Sequence, residues 1–230
     1  MRLLLVGRGR MGRLIESLAA GYDAEVMGVL DRASNARGAG VTAERCRGID
    51  VAIDFSTAEA TLDSVPRLAA QGVSLVVGTT GWLAREAELR EAVAKAGIGA
   101  VVASNFSLGA NVLEALAESA SRLLAPADSY GAFIHEAHHS AKKDAPSGTA
   151  LTLRKAVERG GYARGIDVSS TRAGFIPGTH TLGFDSPAET ITLTHTARDR
   201  TAFARGALEA ARWIHGRQGW FGMKDMLEGR

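Results

Sequence analysis

The feature that most restricts the fold lies in residues 2 to 12, where the apolar run RLLLV leads straight into GRGRMG. An apolar run ended by closely spaced glycines and followed by an amphipathic stretch is the pattern of strand, tight turn and helix. The alternation then recurs. Apolar runs stand at EVMGVL (25 to 30), VAIDF (51 to 55), VSLVVG (73 to 78) and IGAVVA (98 to 103), with helical periodicity near 10 to 21, 57 to 71 and 82 to 96. Such a series predicts a parallel sheet with helices on its faces. Ser56 with Glu59 three residues on reads as a capping box for the second helix, and Pro66 predicts a kink or an early end.

Past Asn105 the pattern changes. A long helix is expected over 108 to 124, then the extended segment YGAFIHEAHH, then alternating runs at 166 to 173, 179 to 184 and 189 to 196. Pro177-Gly178 and Ser186-Pro187 separate these runs and predict a mostly antiparallel, mixed sheet. An amphipathic helix near 200 to 216 is expected to return to the first domain. The fold class is therefore α/β, a Rossmann-like N-terminal parallel sheet with a C-terminal α+β domain. The expected division is 1–105, completed by 200–230, and 106–199.

A chain of 230 residues with 46% hydrophobic content can bury a real core. Its 27 basic and 25 acidic residues leave a net charge of +2, with arginines scattered rather than clustered, which argues against a nucleic-acid partner. The single cysteine, Cys46, excludes an internal disulfide and fits a reducing compartment. RLLLV is too short for a signal-peptide core or a membrane span. A soluble, cytoplasmic protein without a membrane partner is the expectation.

Gly7, Arg8, Gly9, Arg10, Met11 and Gly12 satisfy GxGxxG between a first strand and a first helix. Glycines there allow a tight turn and close approach of a pyrophosphate, which the helix N-terminus stabilises. Asp31 follows Gly12 by nineteen residues and ends the second strand, where a carboxylate can accept from a ribose diol. Arg32 beside it can pair with a 2′-phosphate, so either NADH or NADPH is expected to serve. Gly78, Thr79 and Thr80, and Ser104, Asn105 and Phe106, follow the fourth and fifth strands, at the carboxyl ends where open parallel sheets bind ligands.

The second concentration of chemistry is HEAHHSAKKDAPSGTA, from His135 to Ala150. Pro146 and Ser147 set a turn, and Gly148 and Thr149 then head a helix whose first amides can seat a carboxylate or phosphate. His138 and Lys142, four apart, place a proton donor and a cation on one side. The same stretch matches HExxH, but that zinc pattern needs a helix, and the residues before it read as strand. No metal is expected.

EAHHSAKKDAPSGTA closely resembles the E-L/A-HHxxKxDAPSGTA segment of the 4-hydroxy-tetrahydrodipicolinate reductase, or dihydrodipicolinate reductase, family. The likeness extends through GRMG, IDFS, VVGTTG, SNFSLGANV and FARGALEAARW. It implies reduction of a cyclic dicarboxylate in lysine and diaminopimelate biosynthesis with NADH or NADPH, by a homotetramer whose C-terminal sheets meet. Carried over, His138 is the acid/base group and Lys142 the second proton donor, with His139, Gly148 and Thr149 as substrate ligands. Cofactor contacts fall to Gly7 through Gly12, Asp31, Arg32, Gly78 to Thr80, and Ala103, Ser104, Asn105 and Phe106. Three departures stand out: a glycine turn one residue shorter than the family's GxxGxMG, Lys143 where an apolar residue is common, and a short 160–180 segment.

Overall fold

Strands buried along their whole length need cover on both faces, and Val51–Asp54 and Ser74–Val77 are such strands. In the computed structural model, which describes residues 1–229, both belong to a six-stranded parallel sheet. The chain runs β1 (Arg2–Val6), α1 (Arg10–Leu18), β2 (Glu25–Leu30), α2 (Ala43–Cys46), β3 (Val51–Asp54), α3 (Ala58–Ala70), β4 (Ser74–Val77), α4 (Glu86–Ala96) and β5 (Gly99–Val102). It continues through α5 (Leu108–Leu124), β6 (Gly131–His138), α6 (Gly148–Arg159), β7 (Ile166–Arg172), β8 (Gly178–Asp185) and β9 (Thr190–Ala197). It closes with α7 (Thr201–Ile214), β10 (Gly219–Phe221) and α8 (Met223–Glu228). Among the described residues, no helix is long and apolar enough to cross a membrane.

One compact unit comprises Met1–Ser107 and the segment from Phe203 onward; the other is Leu108–Ala202. In the first, the strand order is β10-β5-β4-β3-β1-β2. From β1 the chain goes outward to β2 and then back across to β3, so the order reverses between the carboxyl ends of β1 and β3. Leu4, Val6, Val65, Leu75, Val77 and Leu89 form part of a continuous core around this sheet. Each such side chain contributes about 1.5–3 kcal/mol by leaving water.

Two local expectations are corrected. The cap of α3 is Thr57, whose side chain accepts from Ala60 N at 3.3 Å, because Ser56 is engaged with Asp54 instead. Pro66 neither ends nor shortens α3, which runs on to Ala70. Val65, Leu68 and Ala69 are buried on either side of the proline, and that packing outweighs one missing N–H. The edge strand β10 and helix α8 lie where no element was anticipated; three strand residues are too few to show an alternation.

In the second unit the strand order is β7-β6-β8-β9, with β6 and β7 parallel and the other pairs antiparallel. The parallel pair arises because α6 carries the chain from β6 to β7. Leu113 and Ala117 of α5, Leu153 and Val157 of α6, and Ile134, Leu182 and Phe184 of the sheet share one core.

Candidate active site

The first unit gathers the predicted dinucleotide residues at the carboxyl ends of its parallel strands. Gly7 leaves β1 with φ +103°, a conformation that favours glycine, and a Cβ there would meet the Phe55 carbonyl oxygen at 2.4 Å. A Cβ on Gly12 would stand 2.1 Å from the Gly7 carbonyl oxygen, whereas one on Gly9 would meet nothing within 4 Å. Gly7 and Gly12 thus close the turn on itself, and Gly9 keeps an open face at the head of α1. That open face, with the amides of the first turn behind it, fits a pyrophosphate.

At the end of β2, Asp31 Oδ1 accepts from Ala33 N, Ser34 N and Ser34 Oγ at 3.1, 2.9 and 2.8 Å. The bonds from Ser34 and Ala33, aided by the nearby Arg8 charge, hold its carboxyl below the usual range. A carboxylate fixed in this way at the end of the second strand suits a ribose diol. Arg8, Arg10 and Arg32 are exposed, and Met11 is half-buried.

Behind β4 and β5 the picture is mixed. Thr80 and Ser104 are exposed, and Gly78, Ala103 and Asn105 are half-buried. Thr79 is buried: its hydroxyl donates to Asp54 Oδ1 at 3.0 Å and its carbonyl accepts from Trp82 Nε1 at 2.7 Å. Phe106 is buried edge-on against Phe55, ring centroids 5.8 Å apart. For these two, only the main chain is left to meet a cofactor.

Asp54 was not anticipated. It is fully buried at the end of β3 and accepts from Ser56 N, Ser56 Oγ, Thr61 Oγ1 and Thr79 Oγ1 at 2.9, 2.5, 2.7 and 3.0 Å. Burial pushes its carboxyl up in spite of these donors. It ties together the loops after β3 and β4, and its only sequence signal was a carboxylate ending an apolar run before serine and threonine.

In the second unit, strand register builds the other half of the chemistry. Glu136 and His138 share a face of β6. The parallel neighbour sets Arg172 opposite His138, and the antiparallel neighbour sets His180 opposite Glu136. Arg172 donates from Nη2 to Glu136 Oε1 at 2.7 Å and from Nη1 to Oε2 at 3.0 Å. His138 Nδ1 lies against Glu136 Oε2. Burial alone would raise the Glu136 carboxyl; Arg172 and the Ser170 hydroxyl outweigh it and hold it at about 2.

His138 is partly open to solvent, and its ring meets that of His180 edge-on at 5.1 Å between centroids. Burial lowers the His138 imidazole, Glu136 opposes that, and Lys142 and Arg172 add to it. His180 is 6% exposed, with Nε2 2.9 Å from Ser147 Oγ, and burial, followed by the neighbouring His138, takes it to about 4.

The helix start forms where it was expected. Ser147 caps α6, its Oγ accepting from Ala150 N at 3.2 Å, so Gly148 and Thr149 head a twelve-residue helix. A Cβ on Gly148 would meet nothing within 4 Å. Lys142 lies in the turn after β6, its amide on the His139 carbonyl and Nζ 2.9 Å from both oxygens of Asp144. His139 is exposed beyond the strand end. Because β6 is a strand, His135 and the rest of HExxH do not share a helical face; His135 Nδ1 instead meets Ser169 Oγ at 2.9 Å on β7. Glu136, His138 and His180 do bring possible donor atoms within 4.8 Å of one another, but Arg172 already occupies both carboxylate oxygens.

A doubly wound sheet with a glycine turn, an acid after its second strand, and a second unit carrying histidine and lysine beside a helix-headed anion seat define a nicotinamide-dependent oxidoreductase. Residues 1–106 match the family model described as "Dihydrodipicolinate reductase, N-terminus", and residues 109–227 match "Dihydrodipicolinate reductase, C-terminus". The chain belongs to the dihydrodipicolinate reductase family. It is 43% identical to the 4-hydroxy-tetrahydrodipicolinate reductase of Stenotrophomonas maltophilia (strain R551-3), over 99% of this chain and 98% of that one. The corresponding enzyme of Christiangramia forsetii is 35% identical, again over 99% and 98%. Among solved structures, a dipicolinate-bound dihydrodipicolinate reductase from Paenisporosarcina sp. TG-14 shares the fold with a TM-score of 0.80 at 21% identity, over 96% of this chain and 97% of that one.

Proposed function

We propose that this chain reduces 4-hydroxy-tetrahydrodipicolinate to tetrahydrodipicolinate with NADH or NADPH, in lysine and diaminopimelate biosynthesis. The observation that carries the reading is that His138 at the end of β6, Lys142 in the turn after it and the head of α6 follow one another in the chain, with His138 Nδ1 and Ser147 N both against Glu136. The first unit holds the dinucleotide and the second the substrate.

A bound nicotinamide supplies the hydride. Loss of water from the substrate leaves a conjugated imine, hydride adds to it, and the electron density released must be met by a proton. His138 offers that proton from Nε2, since Nδ1 is turned to Glu136. Left alone, the imidazole is held below its ordinary value, and two incoming carboxylates reverse that by favouring its charged form. Lys142, exchanging Asp144 for a substrate carboxylate, is the second donor; His139 and the amides of Gly148 and Thr149 hold the dicarboxylate. The same reading carries a cytoplasmic homotetramer built on the second sheet. On the exposed face of that sheet, Thr179 pairs with Thr196, and Thr181 with Thr194, each at 3.0 Å.

The test is substrate-dependent oxidation of each cofactor, followed by nicotinamide absorbance, in the wild type and His138→Gln. Loss of most turnover with cofactor binding intact is expected. Unchanged turnover removes His138 from the reaction.

A further inference from the structure

Glu136 is a charged side chain with no exposed surface at the substrate end of the second unit, and the scheme above gives it no part beyond facing His138 Nδ1. A buried carboxylate persists only when its lone pairs are well matched. Its partners come from different parts of the site. His138 Nδ1 meets Oε2, Ser147 N donates to Oε1 at 3.3 Å from the cap of α6, and Arg172 holds both oxygens. Arg172 Nη2 also donates to the Asp144 carbonyl at 2.6 Å, and the Asp144 side chain holds Lys142 Nζ. One carboxylate is therefore linked to the histidine, to the anion-binding helix and to the lysine turn.

We propose that Glu136, held by Arg172, is the positioning residue of this site: it fixes His138 with Nδ1–H on the carboxylate and Nε2 toward the substrate, and sets the Lys142 turn and the head of α6 around the same ligand. The proposal rests on His138 being the proton donor. The groups facing that imidazole are Glu136 from its own strand, Arg172 from β7, Lys142 from the following turn and His180 from β8. Glu136 is the one anion among the four, set against two fixed cations and a second imidazole. Without it the ring loses both its orientation and the charge that helps it keep a proton.

The experiment compares the pH dependence of kcat/KM in wild type and Glu136→Gln, which keeps the shape and removes the charge. The basic limb, where His138 gives up its proton, is expected to move to lower pH by about one unit or more. A purely structural defect lowers activity at every pH alike, and superimposable limbs overturn the proposal. Should Glu136→Gln fail to fold, the wild-type enzyme still decides: histidine ring nitrogen NMR above the limb is expected to show His138 as the Nδ1–H tautomer. A dominant Nε2–H tautomer overturns the role of Glu136. That readout is independent of turnover, so it stands apart from the His138→Gln result, which judges the proton donor itself.

Discussion

Gly178, at the start of β8, lies against the His138 imidazole: a Cβ added to it would stand 3.1 Å from Nε2 and 3.2 Å from Cδ2. At that separation the ring has to shift by a few tenths of an ångström to make room. Gly178→Ala should therefore lower kcat by about tenfold, the scale expected when a reacting group is displaced by a fraction of an ångström. Cofactor affinity, measured by fluorescence titration, should not change. Wild-type kcat in this variant would show that the imidazole has more room than the structure gives it.

Gly9 and Gly12 make opposite predictions although they sit in one motif. A side chain on Gly12 collides with the Gly7 carbonyl, so Gly12→Ala should lower the melting temperature of the cofactor-free protein. Gly9→Ala should leave that temperature unaltered, because nothing lies within 4 Å, and instead weaken NADH and NADPH binding by about tenfold or more. Calorimetric melting and cofactor titration of both variants separate the two roles.

Asp31 and Arg32 concern the choice of cofactor. Asp31 is held as an anion by Ser34 and Ala33, which favours a free ribose diol, while Arg32 is exposed beside it and able to meet a 2′-phosphate. Arg32→Ala should raise KM for NADPH by about tenfold and leave NADH nearly untouched. Equal effects on the two cofactors would place the 2′-phosphate contact elsewhere.

His180 ties stability to pH. In the folded protein its imidazole sits at about 4, against an ordinary 6.5, because charging it means burying a cation. Between those values the unfolded chain binds the extra proton. Stability is thus complete above pH 6.5 and falls as pH drops toward 4, by about 3 kcal/mol for a depression of that size. Urea unfolding at pH 7 and pH 5 should show this loss in the wild type and a shallower one in His180→Gln, whose amide can still reach Ser147 Oγ. An identical pH slope in the variant would assign the loss to other groups.

The elements that were readable in the sequence are those whose signals are local. RLLLV predicted β1 over its observed residues, and the helix expected at 108 to 124 is α5 itself. Gly148 and Thr149 were legible for the same reason, since Pro146 and Ser147 stand beside the helix they begin. Glu136, Arg172 and His180 were not. Glu136 and Arg172 are 36 residues apart in the chain and meet only because β7 pairs in parallel with β6, a register that neither segment announces. Asp54 was missed for a related reason: Thr79, one of its donors, lies 25 residues away on the next loop.

The edge strand β10 has a consequence for how the molecule is made. It pairs with β5, more than a hundred residues earlier, and belongs to the unit that Met1 begins. On the ribosome, the nascent chain thus delivers five of six sheet strands first, then every residue of the second unit, and the last strand only afterwards. The second unit can close its own core while the first still exposes the side of Gly99 to Val101 that awaits a partner. An unpaired parallel edge held open that long is a place where a newly synthesised chain would be vulnerable to aggregation or in need of a chaperone.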